Sequence, residues 1–322
     1  MKTLASLLLG LSLTISSFGA EKKPTTAEHL QNVSVTIRAE AEWSAGEGSG
    51  VIFTRKDKDG NLVNLVWTAG HIIDNLRTER KVLVNGSPKV LVEFKDPVVI
   101  KEIRQNGRTV GRLQMDAEVL KYSESEDGHD LALLRVRKLN FVTDSVKFYL
   151  EKSIPPLGTD LLHVGSLLGQ FGANSMTDGI YSQHGRVIKS LNKHIFDQTT
   201  CVAFPGSSGG GVYLKKDGDA RYIGMLVRGA GEGFNLIVPV RRMVNYCQKH
   251  KIMWALDPKV AMPSEDDLKK IPVENTPREK EEAKNAEKEA TKKMFPFMIR
   301  KVDYLPNLTL PDRKLPTVRV GD

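Results

Sequence analysis

Short runs of apolar and polar residues, separated by turn residues, fill the chain between positions 33 and 238. The first set comprises Val33 to Ala39, Gly50 to Thr54, Asn61 to Thr68, Val90 to Phe94, Gly111 to Lys121 and Leu131 to Val136. The second comprises Asp160 to Leu168, Gly179 to Ser190, Thr199 to Phe204, Gly211 to Lys215, Arg221 to Arg228 and Phe234 to Val238. Alternation sends successive side chains to opposite faces of a strand. Turn signals such as Asp59-Gly60 and Asn85-Gly86 separate the runs. Two groups of about six strands predict an all-β protein of two antiparallel six-stranded barrels, at about 31–140 and 155–250. From Val240 to His250 the period changes to that of a helix, with Met243 and Tyr246 spaced to dock on the second barrel.

The two ends follow other patterns. Met1-Lys2, an apolar run from Leu4 to Ile15 and the small residues around Ser17, Gly19 and Ala20 precede charged Glu21-Lys22-Lys23. That is the plan of a secretory signal peptide over 1–20, cut after Ala20 or, because Phe18 is bulky, after Gly19. The run is short for a membrane span, so no stable anchor is expected after cleavage and the mature chain belongs outside the cytoplasm, secreted or periplasmic. The folded domain is expected over 21–257. Residues 258–322 form a charged, proline-dotted tail, in which Pro277 to Lys293 reads as a solvated helix opened by Thr276. Lys280, Lys284, Lys288 and Lys292 repel one another along one face of it. A flexible tail, a segment that binds a protein partner and one that packs back on the barrels are all open readings.

Composition narrows the class. The chain has 322 residues, 40% of them apolar, and 27 glycines, which describes a soluble, turn-rich protein. Its net charge of +8 is spread along a sequence where bases and acids interleave. With no zinc-finger, Walker or dinucleotide motif, a solvated surface is favoured over nucleic-acid binding. No motif calls for a metal or an organic cofactor. Cys201 and Cys247, the two cysteines, suit either one disulfide or a pair of buried thiols.

Chemistry concentrates in three places. Phe204-Pro-Gly-Ser-Ser-Gly-Gly-Gly-Val212 can hold a serine in a tight turn and aim successive backbone N–H groups at one point. Val66-Trp-Thr-Ala-Gly-His71 ends an apolar run in a histidine, and His129-Asp130 opens another. A serine hydroxyl needs a base within hydrogen-bond reach, and that base needs a carboxylate to set its tautomer. The chain order His, Asp, Ser differs from the subtilisin and α/β-hydrolase orders. His129, next to Asp130, is expected to face away from the site. His29, His163, His184, His194 and His250 show no metal-ligand spacing.

On these residues the chain resembles the trypsin-like (chymotrypsin-fold) serine proteases, in particular their bacterial HtrA/DegP-type branch. The matching segments are Thr68-Ala-Gly-His71, Asp130-Leu-Ala-Leu-Leu134, Pro205-Gly-Ser-Ser-Gly-Gly210 and the stretch Met176 to Arg186. The resemblance covers roughly residues 31–250. It implies peptide-bond hydrolysis through an acyl-enzyme, with His71 as general base, Asp130 as its orienting carboxylate and Ser208 as nucleophile. The N–H groups of Gly206 and Ser208 would then form the oxyanion hole. By the same resemblance Val202 takes the place where Lys/Arg-selective relatives carry aspartate, and Val227, Arg228, Gly229 and Gly233 wall the substrate pocket. Cleavage after small or medium apolar residues is therefore expected, with proteins or peptides as substrates. Ser207 replaces the aspartate that pairs with a new N-terminus in digestive relatives, so activation by insertion is not expected. The residues after Pro258 are too few and too polar for the PDZ domain usual in that branch. Two rivals are weighed: a catalytically silent binding protein on this fold, and a serine esterase, whose usual Ser-Asp-His order this chain lacks.

Overall fold

The computed structural model describes residues 24–274 apart from 85–86, 106, 127, 189–193, 217–218, 230 and 232. The expected signal peptide and the helix expected at 277–293 lie outside the described residues. The chain enters through α1 (Thr26–Asn32), which is closed by a capping box. Thr25 accepts from the Glu28 N–H, and Glu28 accepts from the Thr25 N–H in return. Its Leu30 is buried in the core.

Eight strands follow: β1 (Ser34–Glu40), β2 (Ala45–Lys56), β3 (Leu62–Thr68), β4 (Arg77–Val84), β5 (Ser87–Phe94), β6 (Val98–Gln105), β7 (Arg108–Ser123) and β8 (Leu131–Val136). Six of them close a barrel in the order β1-β2-β3-β8-β7-β6, while β4 and β5 form a separate two-stranded ribbon. The second half carries β9 (Asp160–Leu167), β10 (Gly172–Val187), β11 (Ile195–Thr199), β12 (Gly211–Lys216), β13 (Asp219–Gly229) and β14 (Asn235–Pro239). These close a second antiparallel barrel in the order β10-β11-β14-β13-β12-β9. The all-β, two-barrel expectation is therefore met, and α2 (Val240–Lys249) buries Met243 and Tyr246 as its pattern predicts.

Three strands differ from the sequence reading, among them β4, which lies in none of the expected runs. The run Val90 to Phe94 belongs to the ribbon, and the first barrel takes β6 in its place. The signal of β6 is disguised because Lys101 and Glu102 are buried charges within it. Lys101 is satisfied by the Asn32 carbonyl, and Glu102 by Asn174 and Thr109. Likewise β11 lies at Ile195–Thr199 rather than over 199–204. Its Asp197 is wholly buried, held by Arg241, the Tyr181 hydroxyl and the Gly185 N–H. A strand with a buried acid lacks the alternation that marks strands from sequence.

The compact unit of the barrels also continues past residue 257, to Glu274. The chain leaves α2, accepts the Trp67 indole N–H at the Ala255 carbonyl (3.0 Å), and returns along the first barrel. There α3 (Glu265–Leu268) buries Leu268, and Arg135 forks onto Glu265 at 2.6 and 2.7 Å. Val273 then accepts from the Tyr122 N–H (2.8 Å), and Glu274 pairs with Arg77 (2.7 Å). Among the described residues no helix is long and apolar enough to cross a membrane.

Candidate active site

Strand β3 is buried almost throughout and stops at Thr68. Ala69 stays extended, and one 3-10 turn, Gly70–Ile72, then carries His71. Glycine is required before the histidine because a Cβ on Gly70 would sit 3.2 Å from the Leu131 N and closer still to the Ser123 carbonyl. This close approach sets His71 against the loop that enters β8. In that loop Asp130 adopts a left-handed backbone (φ 55°), a conformation that aspartate tolerates better than most residues.

The Asp130 carboxylate is 2% exposed. It accepts the His71 backbone N–H at 3.0 Å, and each of its oxygens lies 3.0 Å from His71 Nδ1. Desolvation, the largest single influence, pushes its pKa up. Hydrogen bonds and charge from His71, aided by the Arg228 guanidinium, outweigh it and hold the carboxyl below its ordinary value. An ionised carboxylate at this distance needs a donor, so the imidazole proton sits on Nδ1 and Nε2 keeps its lone pair. The side chain of His71 is 29% exposed.

Ser208 lies on the turn between β11 and β12. Gly206 (φ +94°) and Gly209 (φ +88°) both take left-handed conformations there. The carbonyls of this turn are tied backward. Pro205 O accepts from Leu168 N (2.7 Å), Gly206 O from Ser49 Oγ (2.7 Å) and Ser207 O from Gly210 N (3.0 Å). In a trans peptide the N–H points opposite to the carbonyl. The amides of Gly206 and Ser208 therefore point away from these anchors, and neither has a partner among the described hydrogen bonds. Ser207 is completely buried, its hydroxyl accepting the Phe204 N–H at 3.1 Å. The hydroxyl of Ser208 donates to the Val227 carbonyl at 3.2 Å rather than to His71.

The first barrel holds this turn through Ser49. Its N–H donates to the Ser208 carbonyl (2.7 Å), its hydroxyl accepts from Ser166 N (2.7 Å), and its carbonyl accepts from Thr68 Oγ1 (2.7 Å). Glu47 supports the other anchor, accepting from Gln170 N at 2.7 Å in the loop after Leu168 and from Arg38 Nε at 2.9 Å. Sequence reasoning missed Ser49, Leu168 and Glu47. The one local signal was Gly48-Ser49-Gly50, two glycines in a strand whose missing Cβ atoms make room for Ile72 and Val66.

A groove of about 570 Å³ opens beside Ser208, with 202–205 on one side and 226–229 on the other. Val202, Val227, Arg228 and Gly229 line it together. Gly231 lines it instead of Gly233, whose carbonyl is turned toward Gln198 Nε2 at 3.4 Å. His129 does lie outside the site, although not because it alternates with Asp130 on a strand. It stacks on His194 (4.1 Å between centroids) and Arg242 holds its carbonyl at 2.8 Å. Of the two readings left open for the cysteines, the structure has the buried thiols: Cys201 and Cys247 are both free and buried, and burial pushes the Cys201 thiol up to about 11. Among the described residues no group of His, Cys, Asp and Glu is placed to hold a metal ion.

Residues 48–225 match the family of trypsin-like peptidase domains. The chain is 28% identical over 166 residues to a Serine protease Do-like HtrA of Lactobacillus helveticus, covering 51% of this chain and 32% of that relative. The fold is similar to that of the HtrA-type protease AlgW solved with a tripeptide. The TM-score is 0.51 at 16% identity, covering 71% of this chain and 62% of the other. The chain thus spans about a third of the length of the curated relative it matches.

Proposed function

This chain belongs to the trypsin-like peptidase family, and from that membership we propose that it is a serine endopeptidase, secreted or periplasmic, working through His71, Asp130 and Ser208. The observation that carries the proposal is the pairing of His71 Nδ1 with a buried, ionised Asp130, which leaves Nε2 to act as the base. On substrate engagement Ser208 turns from the Val227 carbonyl toward Nε2, a tightening that apo sites commonly await. Its Oγ attacks the scissile carbonyl as His71 takes the proton. His71 then delivers that proton to the leaving amine, and water releases the acyl group by the same route. The amides of Gly206 and Ser208, which have no partner among the described residues, support an oxyanion hole, because charge that develops there meets donors already oriented.

The apolar lining around Val202 and Val227 supports cleavage after small or medium apolar residues. The leader pattern at 1–20 supports export, and N-terminal sequencing of the mature protein tests where it is cut.

The decisive experiment treats unmutated protein, Ser208→Ala and Ser207→Ala with a fluorescent fluorophosphonate and then with unfolded casein. Labelling and casein loss are expected in the unmutated protein and absent in Ser208→Ala. If Ser207→Ala loses labelling and Ser208→Ala keeps it, the nucleophile is misassigned. One observation favours a second reading, a silent binding protein: the Ser208 hydroxyl is engaged by Val227 rather than His71. Folded protein that never labels, with or without peptide, would favour it. Hydrolysis of esters with casein left intact would favour an esterase.

A further inference from the structure

The groove beside Ser208 carries one charged side chain among its described lining residues, Arg228. Its place on β13 matters. The pairing with β12 ends at Gly211 opposite Met225, whereas β14 continues opposite Arg228 and Gly229. A register shift falls between Leu226 and Arg228, so Val227 bulges where the chain passes the nucleophile and its carbonyl meets the Ser208 hydroxyl. Residues 227–229 therefore present one open strand edge along the groove. An extended peptide docks on such an edge by main-chain hydrogen bonds, and its side chains are read by whatever stands beside them.

Arg228 is half-buried, yet it makes no ion pair and no side-chain hydrogen bond among the described residues. Other partly buried arginines here, such as Arg135 and Arg241, are forked onto carboxylates. Removing a guanidinium from water without a partner is unfavourable, and a carboxylate that matches its planar fork offsets that cost. The nearby Asp130 feels its charge but is not bonded to it; that carboxylate is already occupied by His71.

We propose that Arg228 is a specificity-determining residue that binds the side-chain carboxylate of a substrate Asp or Glu, one to three residues before the apolar residue whose carbonyl is attacked. The substrates of this enzyme are then peptides in which an acidic residue closely precedes a small or medium apolar one. The inference rests on the endopeptidase reading above and names the substrate class for that same groove.

The test uses matched peptides that differ only by Glu or Gln at each of the three positions before a fixed apolar residue. Cleavage efficiency (kcat/KM) is measured for the unmutated protein, Arg228→Gln and Arg228→Lys, and binding to Ser208→Ala is read by fluorescence anisotropy. A charge-assisted, bidentate contact predicts a Glu-over-Gln preference of roughly 10-fold or more at one position. It should fall to near unity in Arg228→Gln, stay partial in Arg228→Lys, and shrink as salt is raised. Each ratio is taken within one protein, so a general loss of activity cancels. A preference within two-fold at all three positions, or one that survives in Arg228→Gln, overturns the proposal. If the unmutated protein cuts no peptide, the endopeptidase reading fails on its own. The binding arm then decides the carboxylate question, and equal or undetectable binding of the Glu and Gln peptides counts against Arg228.

Discussion

Gly206→Ala tests the anchored turn most directly. Gly206 sits at φ +94°, and a Cβ there would lie 2.5 Å from the Gly169 N and closer still to the Ser166 carbonyl. Both are backbone atoms, so neither can rotate away. The left-handed conformation alone costs a non-glycine residue about 1–2 kcal/mol. Relieving the overlap must shift the 205–207 turn, and the Gly206 N–H moves with it. Losing one oxyanion donor typically costs about 100- to 1,000-fold in kcat. The strain lowers the thermal midpoint by roughly 2–8 °C in a domain of this size. Gly60→Ala separates the two effects, since Gly60 has a similar backbone (φ +83°) with nothing within 4 Å of the added Cβ. It should lose comparable stability and no rate. The assay is the fluorophosphonate labelling rate together with kcat on a peptide, each beside a melting curve. Gly206→Ala that labels within about two-fold of the unmutated rate, while folded, would refute the assignment of this amide.

Three further outcomes are expected. Asp130→Asn keeps an acceptor for the His71 backbone N–H but turns an NH₂ toward Nδ1. The imidazole proton is then forced onto Nε2, and kcat should fall about 1,000- to 10,000-fold with KM little changed; a loss under ten-fold would exclude Asp130 as the orienting group. Glu47→Ala frees the Gln170 N–H and loosens the loop whose Leu168 N–H holds Pro205 O. It should lower kcat by several-fold to about ten-fold at unchanged KM, with Glu47→Gln milder because its amide oxygen still accepts; equal kcat in all three proteins would refute the link. Burial holds His163 and His194 down to about 4 and His129 well below its ordinary value. Their unfolded values are near 6.5, so the unfolded state binds the extra protons and the stability is complete only above that pH. It should decline as pH falls from about 6.5 toward 4, by up to about 1.4 kcal/mol per pH unit for each histidine. A denaturation midpoint that is flat between pH 7 and 5 would contradict their neutral burial.

The sequence by itself determined the two-barrel, all-β plan and the three segments that hold His71, Asp130 and Ser208. Both are written locally: period-two alternation marks a half-buried strand, and a Gly-rich turn around serine is a property of consecutive residues. Strands β6 and β11 escaped that reading because Lys101, Glu102 and Asp197 look like surface residues until partners distant in sequence bury them. The course of residues 258–274 stayed open in the sequence, since the anchors that return the chain to Glu274 are Arg77, Tyr122 and Arg135 on the first barrel. Only the tertiary structure decided which groups hold the nucleophile turn. Ser49 and Leu168 reach it from other parts of the chain and orient its peptides by tying their carbonyls. It also decided that Arg228 stands beside Ser208 without an ion pair among the described residues, where β13 runs on past the end of its pairing with β12. Such contacts depend on how two closed sheets meet, and no periodicity along a single strand records that.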